Sequence, residues 1–191
     1  MYHPFLAGDR VYLRAVERAD LTGDYFQWLN EYEVTRHLGT GQFPNTLDAM
    51  EAYYESKTKS PNDVFWTVVD RASDQMIGTV KLGFINWIHR SAEFGIMIAA
   101  PEFRGKGHGT DVARLVLDYG FRRLNLHKIT LGVTAEHAGA IRCYEKAGFR
   151  REGLITSVVY VDGAYHDKLI MGITEEEFQR DACRARESAS S

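Results

Sequence analysis

The chain has 191 residues, 26% of them charged and 45% hydrophobic, which is the composition of one globular domain with a sizeable core. Its net charge of −3 lacks the strongly basic balance that nucleic-acid-binding domains usually show. The two cysteines lack the paired spacing of a disulfide framework or a zinc site, and no apolar stretch approaches the roughly 18 residues that span a bilayer. We therefore expect a cytoplasmic protein that binds no metal, no membrane and no nucleic acid.

The N-terminal third combines one strand with short helices. "RVYLRAV" (10–16) alternates polar and apolar residues and predicts a half-buried strand. Asp20 then stands where the N-cap of a helix is expected, and this helix carries Tyr25 and Trp28. A second short helix is predicted over 31–38. Thr46 opens a third over 47–59, which Pro61 ends.

The rest of the chain is richer in strands. "VFWTVVDR" (64–71), "QMIGTVKLGFI" (75–85) and the run 91–99 predict three strands, the first two as a hairpin. A helix over 109–123, a strand over 127–134, a helix over 139–147 and a long hairpin turning at Asp162-Gly163 follow. This order predicts an α+β fold with a mixed, mostly antiparallel sheet of six or seven strands, in one domain over 1–174. Residues 175–191 are expected to form a polar helix and a disordered tail.

The loop "RGKGHG" (104–109) stands directly before the predicted helix 109–123. A helix N-terminus presents unpaired backbone N–H groups and a partial positive charge, so it attracts anions, and glycines let an anion approach the backbone closely. Arg104 and Lys106 add positive charge. The loop therefore predicts a phosphate or pyrophosphate site, with a merely flexible turn as the alternative. The Walker A and Rossmann spacings are both absent.

Two motifs together carry a family resemblance. Arg104-x-x-Gly107-x-Gly109 after a strand, with "AIRCYEKAGF" about 35 residues further on, resembles the GCN5-related N-acetyltransferase (GNAT) superfamily over residues 9 to 173. "WLNEYEVTRHL" and "HRSAEFGIMI" are similar to its ribosomal-protein and spermidine acetyltransferases, and to enzymes that acetylate nucleotide-linked amino sugars. The resemblance implies a GNAT-like sheet in which two central strands splay apart to hold the co-substrate acetyl-CoA.

The resemblance also implies roles for individual residues. Tyr144 stands at the position of the general acid, beside the departing thiolate. His137 stands where the family usually has an asparagine that contacts the cofactor, and Lys146 would reach the adenosine-side phosphate. The remaining implied cofactor contacts are Met97, Ile98, Ala99, Arg104, Gly105, Lys106, Gly107, His108, Gly109, Thr110 and Ala140.

Acetyl transfer to an amine also requires a base and an acceptor site. Glu93 is a polar residue in an otherwise apolar strand, so it is either a base that acts through water or an outward-facing residue in an ion pair. Some family members carry a glutamate in the strand that here reads "ITLGVT", where this chain offers Gly132. The candidate acceptor contacts are Trp28, Glu31, Glu33, Trp87 and His89.

These observations predict an N-acetyltransferase that moves an acetyl group directly from acetyl-CoA to a primary amine within a ternary complex. The acceptor stays open among a polyamine, a nucleotide-linked amino sugar and a peptide or protein N-terminus. The alternative is a catalytically silent module that senses acyl-CoA on the same fold. Cys143 is expected to be a small buried residue rather than a nucleophile, and a homodimer is compatible with the resemblance.

Overall fold

Eight strands form one sheet in the computed structural model, which describes residues 3–189. The strands are β1 (Leu6–Ala7), β2 (Val11–Ala15), β3 (Val64–Asp70), β4 (Met76–Asn86), β5 (Ser91–Ile98), β6 (Lys128–Thr134), β7 (Arg150–Val161) and β8 (Ala164–Thr174). Their spatial order is β1-β2-β3-β4-β5-β6-β8-β7, and β5–β6 is the one parallel pair within the described residues. The α+β fold is confirmed. The expected count of six or seven strands is wrong, because the two residues of β1 are too few to show an alternating pattern.

Six helices accompany the sheet in the described part of the chain: α1 (Asp24–Asn30), α2 (Tyr32–Thr35), α3 (Leu47–Thr58), α4 (His108–Arg122), α5 (Ala138–Ala147) and α6 (Glu175–Ala189). The helix α6 continues to Ala189, further than the tail composition predicts, and residues 190–191 lie outside the described residues. None of the helices that the structure describes combines the length and the apolar character needed to cross a bilayer.

The predicted N-cap at Asp20 is wrong. Asp20 lies in a 3-10 turn (Arg18–Leu21), and α1 begins after Gly23, whose φ is 75°. The carboxylate of Asp20 accepts two hydrogen bonds of 2.7 Å from the Arg14 guanidinium, and both side chains are 9% exposed. Asp20 therefore joins the turn to β2 through a buried ion pair.

The helix α4 turns an apolar side towards the sheet. Its residues Val112, Val116 and Leu117 are fully buried and belong to the same core as Ile129 of β6 and Met171 of β8. Full burial of a valine or leucine side chain stabilises the fold by about 1.5–3 kcal/mol. This packing fixes α4, and with it the glycine loop that precedes it, relative to the central strands.

The central strands β5 and β6 separate after a short paired segment. Among the described residues, three pairs join them: Ser91 with Lys128, Ala92 with Ile129, and Glu93 with Thr130. Beyond that point β5 continues beside β4 to Ile98, and β6 continues beside β8 to Thr134. The edges that face each other over 94–98 and 131–134 therefore have no strand partner. This divergence is the splay that the family resemblance implies.

Candidate active site

The glycine loop precedes α4 and adopts a backbone conformation that few other residues tolerate. Gly105 has φ 71°, and Gly107, the N-cap of α4, has φ 92°. Both lie in the left-handed region, which L side chains rarely adopt. The first N–H groups of a helix have no intrahelical acceptor, so the start of α4 presents donors to an anion. The loop thus has the backbone that phosphate binding requires.

Two side chains of the loop region have structural partners. The Arg104 guanidinium donates to the carbonyl oxygens of Ile98 (2.9 Å) and Ala99 (2.6 Å), so it joins the loop to the end of β5 instead of extending freely towards a phosphate. A Cβ at Gly109 would lie 3.1 Å from Cys143 Sγ, so this glycine allows α4 and α5 to approach closely. The Thr110 hydroxyl is 3.4 Å from the same sulfur.

His108 differs most from its predicted role as a cofactor contact. Its side chain is buried, with Nε2 3.0 Å from Asp70 Oδ1, so only its backbone remains for a ligand at the loop. Lys106 and Lys146 are exposed, and no ion pair within the described residues holds either of them. These two lysines are therefore available to an anion at the loop, and the Arg10 side chain lies beside Gly107.

Tyr144 lies on α5 beside the opening between β5 and β6. Its ring packs edge-on against Phe94, the first β5 residue past the paired segment (6.1 Å between centroids, 84°), and against Phe149 (6.0 Å, 69°). Burial raises the pKa of the Tyr144 phenol well above its ordinary value, and Cys143 adds to the increase. The phenol is therefore protonated at neutral pH, which is the state that a proton donor requires.

His137 caps the N-terminus of α5. Its Nδ1 accepts the backbone N–H of Ala140 at 3.4 Å, so the imidazole performs the N-cap function that an asparagine side chain also performs. Its ring centroid lies 4.5 Å from that of His37. Burial lowers the pKa of His137, and the neighbouring His37, Arg36 and Arg104 lower it further, so the neutral form is favoured.

Glu93 occupies the last paired position of β5 before the splay. Its side chain is exposed, and strand alternation puts it on the same face as Gly95 and Met97. No ion pair within the described residues involves its carboxylate, so the structural alternative of an outward-facing ion pair has no partner there. Glu93 is thus positioned on the face that borders the cavity described next.

A cavity of about 420 Å³ lies between the sheet and the helices α1 and α3. Most of its wall is apolar or aromatic. It includes Tyr25, Leu29, Met50, Tyr53, Tyr54, Phe65, Lys81, Gly95 and Met97. Lys81 Nζ is 3.4 Å from the Tyr53 hydroxyl, and the missing side chain at Gly95 leaves space for the Lys81 stem. Sequence patterns do not identify Tyr53 and Lys81 as site residues, because their contact joins α3 to β4 and is not visible in local spacing.

The predicted acceptor residues are not brought together. Trp28 is a core residue, 8% exposed. Trp87 and His89 lie in the β4–β5 turn, at the paired end of β5 and away from the splay. Glu31 is the N-cap of α2 and Glu33 lies within it; both are exposed, and Glu33 pairs with Arg36.

The residue between these two glutamates reaches the β7–β8 turn. The Tyr32 hydroxyl donates to Asp162 Oδ1 at 2.5 Å. The separation of 130 residues along the chain makes this contact invisible to local sequence patterns. It brings the tip of the long hairpin to α2.

The model of the acetyltransferase (GNAT) domain matches residues 10–150. The spermidine N(1)-acetyltransferases of Vibrio cholerae and Escherichia coli K12 are 36% and 34% identical to this chain, covering 87% and 88% of it and 94% and 88% of their own lengths. The solved structure of the Vibrio cholerae enzyme with CoA and spermine gives a TM-score of 0.81 at 34% identity, over 89% of this chain and 98% of that one. This chain belongs to the GNAT superfamily, in its spermidine-acetyltransferase-like branch, and is an N-acetyltransferase.

Proposed function

We propose that this protein transfers the acetyl group of acetyl-CoA to a primary amine of a polyamine such as spermidine or spermine. The observation that carries the proposal is the similarity to the Vibrio cholerae spermidine acetyltransferase, which extends over 87% of this chain. The structure of that enzyme was solved in complex with CoA and spermine. A polyamine is therefore favoured over the other two acceptors that the sequence leaves open. The homodimer and the domain boundary at residue 174 stay predictions.

The residues around the splay fit CoA. Backbone N–H groups from Gly105 to Thr110 would hold the pyrophosphate, with Lys106 and Lys146 as nearby cations. The backbone edge of β5 that faces the splay would hydrogen-bond the pantetheine amides as an additional strand does. The Ala99 N–H donates to the Ile77 carbonyl of β4, so alternation turns the backbone groups of Ile98 towards the splay and those of Met97 towards β4. The Ile98 carbonyl already accepts from Arg104, which leaves its N–H for the ligand. When bound, the thioester supplies an activated acetyl group.

The chain itself then contributes proton transfer and polarisation. Tyr144 holds a proton on its phenolic oxygen beside the splay and donates it to the departing sulfur. Glu93 accepts the proton that the attacking amine loses, through an intervening water. Backbone N–H near Ile98 polarises the reacting carbonyl oxygen. No covalent acyl-enzyme is required, and burial raises the pKa of the Cys143 thiol, which disfavours a nucleophilic thiolate.

The cavity suits the methylene chain of an amine. Its aromatic and aliphatic wall can bury the methylenes next to the reacting amine. The positive charge of Lys81 lowers the pKa of an amine bound beside it, which eases loss of the amine proton to the base. A nucleotide-linked amino sugar receives less support, because Trp87 and His89, which would suit its base and phosphates, lie at the other end of β5.

An acceptor panel tests the proposal. Release of CoA thiol is measured with spermidine, spermine, a nucleotide-linked amino sugar, an aminoglycoside and peptides with free N-termini. Spermidine and spermine should give the highest kcat/KM. A higher kcat/KM with an amino sugar or a peptide would replace the polyamine assignment, and CoA binding without turnover on any amine would favour the acyl-CoA sensor.

A further inference from the structure

The loop that precedes α4 must be held rigid before it can bind phosphate well. It contains two glycines with positive φ, at Gly105 and Gly107, and glycine loses more backbone freedom on ordering than any other residue. A loop that becomes ordered only on binding subtracts this cost from the affinity. The structure should therefore contain an anchor that fixes the loop in advance, and the side chain of His108 has the required contacts.

His108 is the first residue of α4 and points away from the ligand side into the protein. Its Nε2 lies 3.0 Å from Asp70 Oδ1 at the end of β3, and each side chain is 8% exposed. The second oxygen of Asp70 accepts from the backbone N–H and the hydroxyl of Ser73, both at 2.8 Å. The carboxylate is thus held by the β3–β4 turn on one side and holds the start of α4 on the other.

The protonation of this pair follows from its surroundings. Burial opposes ionisation of Asp70, but the hydrogen bonds from Ser73 and His108 outweigh it and lower the pKa of the carboxyl below its ordinary value. An ionised carboxylate only accepts hydrogen bonds, so the proton between the two side chains resides on His108 Nε2.

The same imidazole also contacts the residue that precedes the loop. The Phe103 ring lies edge-on to it, with 5.3 Å between centroids and 84° between planes. The four residues 104–107 are therefore bracketed by two side chains in contact with each other, and Arg104 adds the bonds to the end of β5. Both ends of the loop are attached to strands of the sheet.

A buried pair such as His108–Asp70 often contributes no more to folding stability than an apolar pair of the same volume would. His108 Nδ1 is buried without a hydrogen-bond partner among the described residues, and a buried unpaired polar atom destabilises a fold. An apolar side chain would fill the same volume without that cost, and replacing buried ion pairs by apolar residues is often neutral or stabilising. What an apolar residue cannot supply is a directional bond that sets the start of α4. We propose that His108 and Asp70 are positioning residues that preorganise the loop for the pyrophosphate of CoA, an inference that rests on the proposed function.

The test compares ligands with and without the pyrophosphate. His108→Phe keeps an aromatic ring against Phe103 and removes the bond to Asp70. We expect its Kd for CoA, measured by calorimetry, to rise about tenfold, while kcat/KM for acetylpantetheine, which lacks the pyrophosphate and the nucleotide, changes by less than about twofold. Asp70→Asn leaves one amide oxygen where the carboxylate accepted bonds from both His108 and Ser73. It should show the same pattern with a loss of about threefold or more and replaces the first variant if that one does not fold.

Asp20→Asn is the matched control, because it weakens another buried ion pair, with Arg14, away from the loop. It should lower Tm and leave the Kd for CoA unchanged. An unchanged Kd for CoA in the folded His108 and Asp70 variants would overturn the inference, as would equal losses with CoA and acetylpantetheine. Wild-type protein that fails to bind CoA would instead overturn the proposed function.

Discussion

The phenolic oxygen of Tyr144 is the group whose removal tests the chemistry most narrowly. Tyr144→Phe retains the ring that packs against Phe94 and Phe149 and deletes one proton. We expect kcat to fall by about 10²–10³ while KM for acetyl-CoA stays near the wild-type value. The loss should be incomplete, since a thiol with a pKa of about 8.5 can leave unprotonated at some cost.

A second tyrosine provides the control for that experiment. Tyr119 on α4 is also buried, packs edge-on against Trp66 and Phe5, and has no assigned part in catalysis. Tyr119→Phe should keep wild-type kcat. If Tyr144→Phe retains more than half of the wild-type rate under conditions where chemistry limits turnover, Tyr144 is a packing residue.

Glu93 can be tested through the pH dependence of its variant. Glu93→Gln should reduce kcat at neutral pH by about 10²-fold, because a protonated amine then loses its proton unaided. Part of the rate should return as pH rises, when more of the amine is already neutral. Glu152→Gln, at an exposed strand glutamate of β7, serves as the control. A Glu93→Gln profile that overlays the wild-type profile would remove Glu93 from the mechanism.

The junction between the glycine loop and α4 depends on Gly107, which has no side chain. Gly107→Ala should raise the Kd for CoA by about tenfold or more, because a Cβ at the helix N-cap obstructs the approach of phosphate to the backbone. Gly163→Ala at the β7–β8 turn imposes similar backbone strain, since φ is 81° there and 92° at Gly107. A Cβ at Gly163 meets no atom within 4 Å, and one at Gly107 meets the flexible side chain of Arg10, 3.2 Å from its Nε. Both variants should lose comparable stability, and only the first should lose CoA affinity. Equal CoA affinity in the two variants would separate the loop from the phosphate.

The contact between His137, the N-cap of α5, and His37, which follows α2, makes the free energy of unfolding depend on pH. Burial lowers the pKa values of His37 and His137, each also affected by the charge of Arg36. A lowered histidine pKa means that the unfolded chain takes up protons first as pH falls, so stability is complete above the ordinary value of about 6.5 and declines below it. Protonation would also remove the Nδ1 acceptor that caps α5.

Thermal unfolding measured from pH 7.5 to 5.5 checks this expectation. His137→Asn keeps a capping side chain that does not titrate, so its Tm should decline less steeply with acidification than that of the wild type. Wild-type and variant curves of equal slope would show that the His37–His137 contact does not couple to protonation.

Local patterns predicted elements better than they predicted side-chain partners. The spacing that defines α4 and α5, and the turn at Asp162, depends on neighbours in sequence, and the structure has these elements within one or two residues of the predicted bounds. The partners of Arg104, His108 and Tyr32 lie on other elements. A glycine-rich loop therefore indicates what its backbone can bind, whereas the orientation of its charged side chains depends on the packed fold.

The sheet separates the face that carries the glycine loop and Tyr144 from the face that carries the apolar cavity. The glycine loop and Tyr144 border the end and the interior of the β5–β6 splay, and the apolar cavity lies between β3–β5 and the N-terminal helices. Glu93 is positioned where β5 meets both. The two substrates can thus approach β5 from different directions and meet at the splay, which favours direct transfer within a ternary complex.

Initial-rate kinetics with acetyl-CoA and spermidine varied together distinguish direct transfer from a covalent route. Direct transfer requires both substrates to be bound before either product leaves, so double-reciprocal plots of rate against one substrate, at several fixed concentrations of the other, should give lines that intersect. Parallel lines, the pattern of a covalent acyl-enzyme formed before the amine binds, would contradict direct transfer, and the absence of any spermidine-dependent release of CoA thiol would contradict the polyamine acetyltransferase itself.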